Sequence, residues 1–263
     1  MAADFLQKIL ADTREDVQRR KNSFNNIEKR AAQSPPPRDF TAALSNAAAN
    51  GRFPVIAEIK HKSPSRGVLC AEFNPAALAA DYAEGGAACL SVLTNVPYFG
   101  GDDEHLTQAK NACELPVLRK DFMVEEWQIY ESRANGADAI LLIAAALSDD
   151  EMRAMSAIAA DLGMTVLTEA HDGSELERTL TIDGALIGIN NRNLSNFNVS
   201  LQTCEELLPK AAGRLTVAES GIETAADVKR LSAAGARAFL IGETLMRAST
   251  PAAALRELFD GGD

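Results

Sequence analysis

In the segment FPVIAEIKHKSPSRG, residues 53–67, a glutamate and a lysine stand two residues apart as Glu58 and Lys60. Val55, Ile56, Ala57 and Ile59 surround them with apolar bulk, so the segment reads as a buried strand. Side chains two apart on a strand share a face, which puts both charges on one side of it. Other apolar runs end in the same way: Lys120 in VLRKDF, Glu169 in VLTEAH, Asn190 and Arg192 in IGINNRN, Glu219 and Ser220 in VAES. Lys120, Glu169, Asn190 and Glu219 each follow by two an inward-reading residue: Leu118, Leu167, Gly188 and Val217. A lone charge at a strand end is usually the first solvated residue of a loop. Five ionisable groups from four strands, with an Asn and an Arg, are costly to gather at one opening unless they are paired or used. Lysine and glutamate at close range push proton affinities apart, which separates acids from bases. Such a set can do general acid–base chemistry on a small substrate.

Eight apolar runs must position these groups: VIAEIK, CLSVLT, PVLRKDF, AILLIA, TVLTEA, LIGIN, LTVAES and AFLIG. Amphipathic stretches separate them, a pattern that predicts parallel strands with helical crossovers. A Gly-Ala pair precedes alternate runs, at Gly86-Ala87, Gly136-Ala137, Gly184-Ala185 and Gly235-Ala236, at intervals of 50, 48 and 51 residues. Glycine there supplies a left-handed helix end before the next strand. Ser148 with Glu151 makes a capping box, and Thr224 with Asp227 approximates one. An open doubly wound sheet would also alternate in this way. Eight even units with a two-unit period fit a closed (β/α)8 TIM barrel better, an α/β fold.

Before the barrel, MAADFLQKILADTREDVQRRK is amphipathic at helical spacing. SPPPRDF breaks the chain, and a short Ala-rich helix follows at about 40–49. The expected organisation is one domain over 1–263, a helical extension at 1–50 and the barrel at 53–263. The extension is expected to cover apolar surface beside the barrel; the alternative is that it lends the site a lid or a basic side chain. Barrel active sites lie at the C-terminal ends of the strands, where the charged residues fall. The loops after the seventh and eighth runs, ESGIET and IGETLM, place Gly221 and Gly242 where barrels commonly hold a phosphate against backbone N–H groups. Together they favour a phosphate monoester, and Lys62 and Ser63 after the first strand could reach the same anion.

The formal net charge of −11 argues against a broad basic surface for nucleic acid or anionic lipid. A local cluster of cations can still take a small anion. Four cysteines without C-x-x-C spacing and only three histidines suggest neither a disulfide framework nor a zinc site. A reducing, cytoplasmic setting is expected, with no membrane span.

The segments IAEIKHKSPSRG, LRKDF, TEAHD, IGINNRNL, VAESGI and GETLMR resemble the signature segments of the indole-3-glycerol-phosphate synthase family, in order and through all eight strands. The resemblance implies ring closure, decarboxylation and dehydration of 1-(2-carboxyphenylamino)-1-deoxyribulose 5-phosphate, in tryptophan biosynthesis. It implies a monomer, and no metal, nucleotide or organic cofactor. It makes Lys120 the general acid at the ribulose carbonyl. Glu169 stabilises charge on the anilino nitrogen or acts as base in the dehydration. Lys60 contacts the substrate carboxylate and donates to the leaving hydroxyl, and Glu58 holds the lysines. Asn190, Arg192, Glu219 and Ser220 position the substrate, with Ser220, Gly221, Gly242 and the Glu243 amide around the phosphate. Phe99, in NVPYFGG, and Phe122 wall the aromatic ring.

One departure is Glu243, where the family often carries serine or alanine; its side chain is expected to turn away from the phosphate. His61 is expected at the surface, and His171 to serve packing or face solvent. The nearest alternative is a phosphoribosyl isomerase barrel, whose chemistry calls for an Asp or Cys couple where Lys and Glu stand. A non-catalytic binding or assembly barrel is the alternative from another class.

Overall fold

The computed structural model describes residues 3–23, 26–64, 66–70, 72–194 and 196–260; the extreme ends of the expected 1–263 extent lie outside them. Each of the eight apolar runs contains a strand: β1 Val55–Ile59, β2 Cys89–Leu93, β3 Val117–Lys120, β4 Ala139–Ile143, β5 Thr165–Ala170, β6 Leu186–Asn190, β7 Thr216–Glu219 and β8 Ala238–Ile241. Neighbours in the chain are parallel neighbours in the sheet. β8 returns to β1 with Val55 opposite Phe239, so the sheet closes as the TIM barrel the sequence predicts. Helices cover the outer face, and strands buried on both faces read as nearly continuous apolar runs.

Alternation along each strand divides the core in two. Val55, Ala57 and Ile59 of β1 pack outward with Leu90, Val92, Ile140 and Leu142. Ile56, Leu118, Leu167 and Val217 fill the barrel interior with Leu141, Leu186 and Leu240. Continuing the two-residue period from these interior residues brings Glu58, Lys120, Glu169 and Glu219 to the C-terminal mouth. Gly86, Gly136, Gly184 and Gly235 all have positive φ, from 72° to 115°, as the Gly-Ala repeat requires. Both expected capping boxes form, at Ser148 and at Thr224.

Three helices precede the barrel: α1 Ala3–Ser23, α2 Ile27–Gln33 and α3 Phe40–Ala49. The sequence predicts the first and third but not α2, which buries Ile27 and Ala31. α3 closes the bottom of the barrel. Its Phe40 and Leu44 join the interior core, and Thr41 Oγ1 lies 3.3 Å from that of Thr165, the first residue of β5. Helix α1 is held against the barrel's flank: Lys21 pairs with Glu125 at 2.6 Å, Arg20 with Glu131, and Tyr98 with Asp12 at 2.5 Å. At 1.5 Å per residue it spans roughly 30 Å, enough to climb from flank to mouth. Among the described residues no helix is long and apolar enough to cross a membrane.

Candidate active site

At the mouth a cavity of about 500 Å³ opens over the interior core. Its floor and walls include Glu58, Lys60, Lys120, Glu169, Asn190 and Glu219. Glu58 and Lys60 share one face of the chain at the end of β1, and their side chains form an ion pair. Gly242, just after β8, packs on the Glu58 side chain so closely that any Cβ would strike its carboxylate. The glycine is therefore needed for contact with Glu58.

The centre of the site is the Lys120 ammonium. Its Nζ lies 3.1 Å from Glu169 Oε2 and 3.4 Å from Glu219 Oε2. Both carboxylates are 1% exposed, so each must have its charge compensated or its proton kept. Burial opposes the charge on Lys120, but Glu169, Glu219 and Glu58 outweigh it and hold the pKa above the ordinary lysine range. Burial likewise opposes ionisation of Glu169, and Lys120 with His171 outweighs it, so this carboxyl stays ionised. Glu219 goes the other way. Burial, with the negative charges of Glu169 and Glu58 adding and Lys120 opposing, raises it to about 8. Among the described residues no side chain donates a hydrogen bond to either of its oxygens. Gly188 of β6 makes the room for it, since a Cβ there would meet Glu219 Oε1. Beside one ammonium, one of two adjacent glutamates thus stays ionised while the other holds its proton more tightly.

The residues around Lys120 are held from outside the barrel. Arg119, one residue earlier and so on the opposite face, is buried and reaches Glu131 and Asp103, each at 2.9 Å. Asp121 accepts hydrogen bonds from Thr94 Oγ1 at 2.6 Å and from the Phe122 N–H at 2.8 Å, which fixes the turn after β3. Phe122 then faces Phe99 with ring centroids 6.4 Å apart. The Asn190 Oδ1 accepts from the Arg192 N–H at 2.9 Å and shapes the loop after β6. After β7, Ser220 and Gly221 are both left-handed, with φ of 65° and 74°, an unusual conformation for serine. These two line the cavity with Gly242, Ser63, Arg192 and Glu243, which follow neighbouring strands of the closed barrel.

Lys62 is the one expected site residue that does not line the cavity. It belongs to a short antiparallel ribbon, Lys62–Ser63 with Gly67–Val68, and its stem passes Gly100 while Ser63 faces in. His61 stays out of the site, stacked on Phe73 at 4.8 Å instead of standing free at the surface. His171 departs from expectation. Its Nε2 is 3.1 Å from Glu169 and its Nδ1 2.9 Å from Glu175, so it orients the carboxylate beside Lys120. Burial opposes its charge, but these two carboxylates push its pKa to about 10. The two-residue step from Glu169 signals it; Glu175, four residues on in the next helix, is the missing partner. Sequence reasoning also misses Arg66 and the α1 residues Phe5, Leu6 and Ile9, which line the cavity. Among the described residues no group of three His, Cys, Asp or Glu side chains is placed to hold a metal ion.

The family model described as indole-3-glycerol phosphate synthase matches residues 6–258. The chain belongs to the indole-3-glycerol phosphate synthase family. The enzyme of that name from Laribacter hongkongensis is 50% identical over 261 residues, covering 98% of this chain and 99% of its own. That from Polaromonas naphthalenivorans is 52% identical over 260 residues, with 98% and 99% covered. A solved structure from Aquifex aeolicus superimposes with a TM-score of 0.61 at 11% identity, covering 83% of this chain and 96% of that one, a likeness of fold alone.

Proposed function

We propose that this chain converts 1-(2-carboxyphenylamino)-1-deoxyribulose 5-phosphate to indole-3-glycerol phosphate, carbon dioxide and water, as a lyase of tryptophan biosynthesis in the cytoplasm. The observation that carries this reading is the Lys120 ammonium held between Glu169 and Glu219 in a cavity that also holds a second Lys–Glu pair and two phenylalanines. Family membership supports the choice of substrate.

The reaction needs three things of the protein. First, the ring carbon bearing the carboxylate attacks the ribulose carbonyl, and the carbonyl oxygen must take a proton as that bond forms. Lys120 gives it. Its raised pKa keeps the proton available at neutral pH, and a developing alkoxide is basic enough to remove it. Second, loss of carbon dioxide returns its bonding pair to the ring and restores aromaticity. A Phe99–Phe122 wall holds the ring in the plane this requires, while Lys60 engages the carboxylate. Third, hydroxide leaves and the pyrrole ring closes its conjugation. Lys60 protonates the leaving hydroxyl. Glu169, kept ionised, opposes charge on the anilino nitrogen and takes the proton released. The phosphate docks against the backbone around Ser220, Gly221, Gly242 and Glu243, and that remote contact holds the reacting end in place.

The test is direct. Chelator-treated protein is mixed with the anilino-deoxyribulose phosphate, and indole absorbance and fluorescence are followed. Growth of both signals without added cofactor is the expected result. No product from a folded, phosphate-binding protein overturns the proposal.

A further inference from the structure

Glu243 puts a carboxylate at the end of the cavity where Gly221 and Gly242 allow an anion to approach the backbone. By charge alone this is the wrong residue for the place, since it would repel a phosphate. Three guanidinium groups converge on it instead. Arg66 Nε lies 3.1 Å from Oε1, Arg192 Nη2 3.6 Å from Oε2, and Arg247 Nη1 3.8 Å from Oε1. Arg247 is one helical turn along, where an i,i+4 partner is ordinary. Arg66 and Arg192 are not local. They come from the ribbon after β1 and the loop after β6, and both line the cavity. Glu243 thus ties two separate loops to the start of Glu243–Met246 through the cations nearest the anion end of the cavity.

We propose that Glu243 is a resident anion, which holds Arg66 and Arg192 at the anion subsite until a phosphate monoester takes them from it. The inference rests on reading the cavity as a sugar-phosphate site, and it adds what sets that site's affinity. A phosphate dianion offers three oxygens and close to two charges to the guanidinium forks, so it outcompetes one carboxylate. The displaced Glu243 keeps Arg247. A monoanion gains little from the same exchange. Glu243 therefore lowers phosphate affinity, and its charge weighs more heavily against a dianion than against a singly charged ligand.

The experiment is calorimetric titration of inorganic phosphate, and separately of acetate, into wild type, Glu243→Gln and Glu243→Ser at low ionic strength and pH 7.5. Removing the competing charge should tighten phosphate binding by about tenfold in both variants, an effect that shrinks as salt screens the charges. The preference for phosphate over acetate should widen, because the removed charge opposes a dianion more than a monoanion. Arg66→Ala in the Glu243→Gln background should cancel much of the gain. Equal or weaker phosphate binding by variants with wild-type melting behaviour overturns the proposal, because Glu243 would then serve to orient the arginines. Turnover assays on the same proteins separate the two readings. The predicted tightening in a protein that makes no indole fails the functional reading alone; turnover with unaltered phosphate affinity fails this inference alone.

Discussion

Replacing Lys120 by methionine keeps an unbranched stem in the interior of the barrel mouth and removes its ammonium. In the native protein Nζ lies 3.1 Å from Glu169 and 3.4 Å from Glu219. At an effective dielectric near 20, either contact between full charges corresponds to about 5 kcal/mol. Only Glu169 counts in full near neutral pH, because Glu219, raised to about 8, keeps its proton most of the time there. The variant also no longer has to desolvate an ammonium, which offsets part of the loss. The net cost of breaking a buried pair by removing one partner is about 3–5 kcal/mol. For a chain of this size that lowers the melting temperature by roughly 6–20 °C.

The pH dependence separates this charge argument from a simple packing defect. In wild type Glu169 titrates below the usual carboxylate range, so its stabilising contribution is present above its unfolded pKa and lost on acidification. Without Lys120 only His171 is left to oppose burial, the largest influence on this carboxyl, and the Glu169 pKa rises. A carboxyl raised in this way loses stability relative to wild type as pH climbs through its new folded pKa. The gap between wild type and variant should therefore be widest near pH 8 and narrow toward pH 5. Melting scans across that range measure it, and indole fluorescence measures turnover, which should fall by about 10²–10⁴ with the acid removed. A folded variant with turnover within about threefold of wild type would refute the assignment of Lys120 as the acid, whose loss removes far more than that. A stability gap that does not change with pH would refute the electrostatic account.

His171→Asn removes the charge that orients Glu169; kcat should fall severalfold with KM little changed, and the acidic limb of the pH–rate profile should move to higher pH. A change in KM with an unmoved profile would mean that His171 only packs. Glu219→Gln removes a carboxyl whose folded pKa is raised, and with it a stability cost that grows from about pH 4.3 to pH 8. Its melting temperature should exceed that of wild type at pH 8 and converge with it near pH 5, and calorimetry that finds the order reversed would contradict the sign worked out for Glu219. Phe5→Ala cuts away a cavity wall whose ring packs edge-on against Tyr98 and Phe197 at 5.6 and 5.1 Å. KM should rise by several fold with kcat nearly kept, and an unchanged KM would take α1 out of the site.

What can be read from the sequence follows the distance over which each signal acts. The inward position of Glu58 follows from Ile56 two residues before it, and a two-residue period needs no knowledge of the rest of the chain. The Gly-Ala repeat is local in the same way, since each glycine meets a conformational demand of its own helix end. α2 carries no such mark. Its seven residues, IEKRAAQ, begin after a left-handed Asn26 that makes no side-chain cap. A helix that short is not stable by propensity, and it forms here because Ile27 and Ala31 are buried. His171 and Arg66 are harder still. Each acquires its place from a carboxylate outside its own element: Glu175 in the helix after β5 for the first, Glu243 after β8 for the second.

Helix α1 shows why one apolar stripe can be read in two ways. Phe5, Leu6, Ile9, Leu10 and Val17 recur at helical spacing, and such a stripe normally means packing against a core. Covering the barrel and walling the site are the two readings, and both apply, at different heights. Val17 and Leu10 are buried, and the salt bridges near Arg20 and Lys21 hold that half of the helix to the flank. Ile9 is buried and lines the cavity as well, while Phe5 and Leu6 line it with part of their surface open. Hydrophobic residues do either job, so composition cannot divide the stripe. Burial can, because core positions lose all their solvent and wall positions keep the share a substrate would cover. On that criterion the boundary falls at Ile9, and substitutions N-terminal to it should change KM while those C-terminal to it change stability.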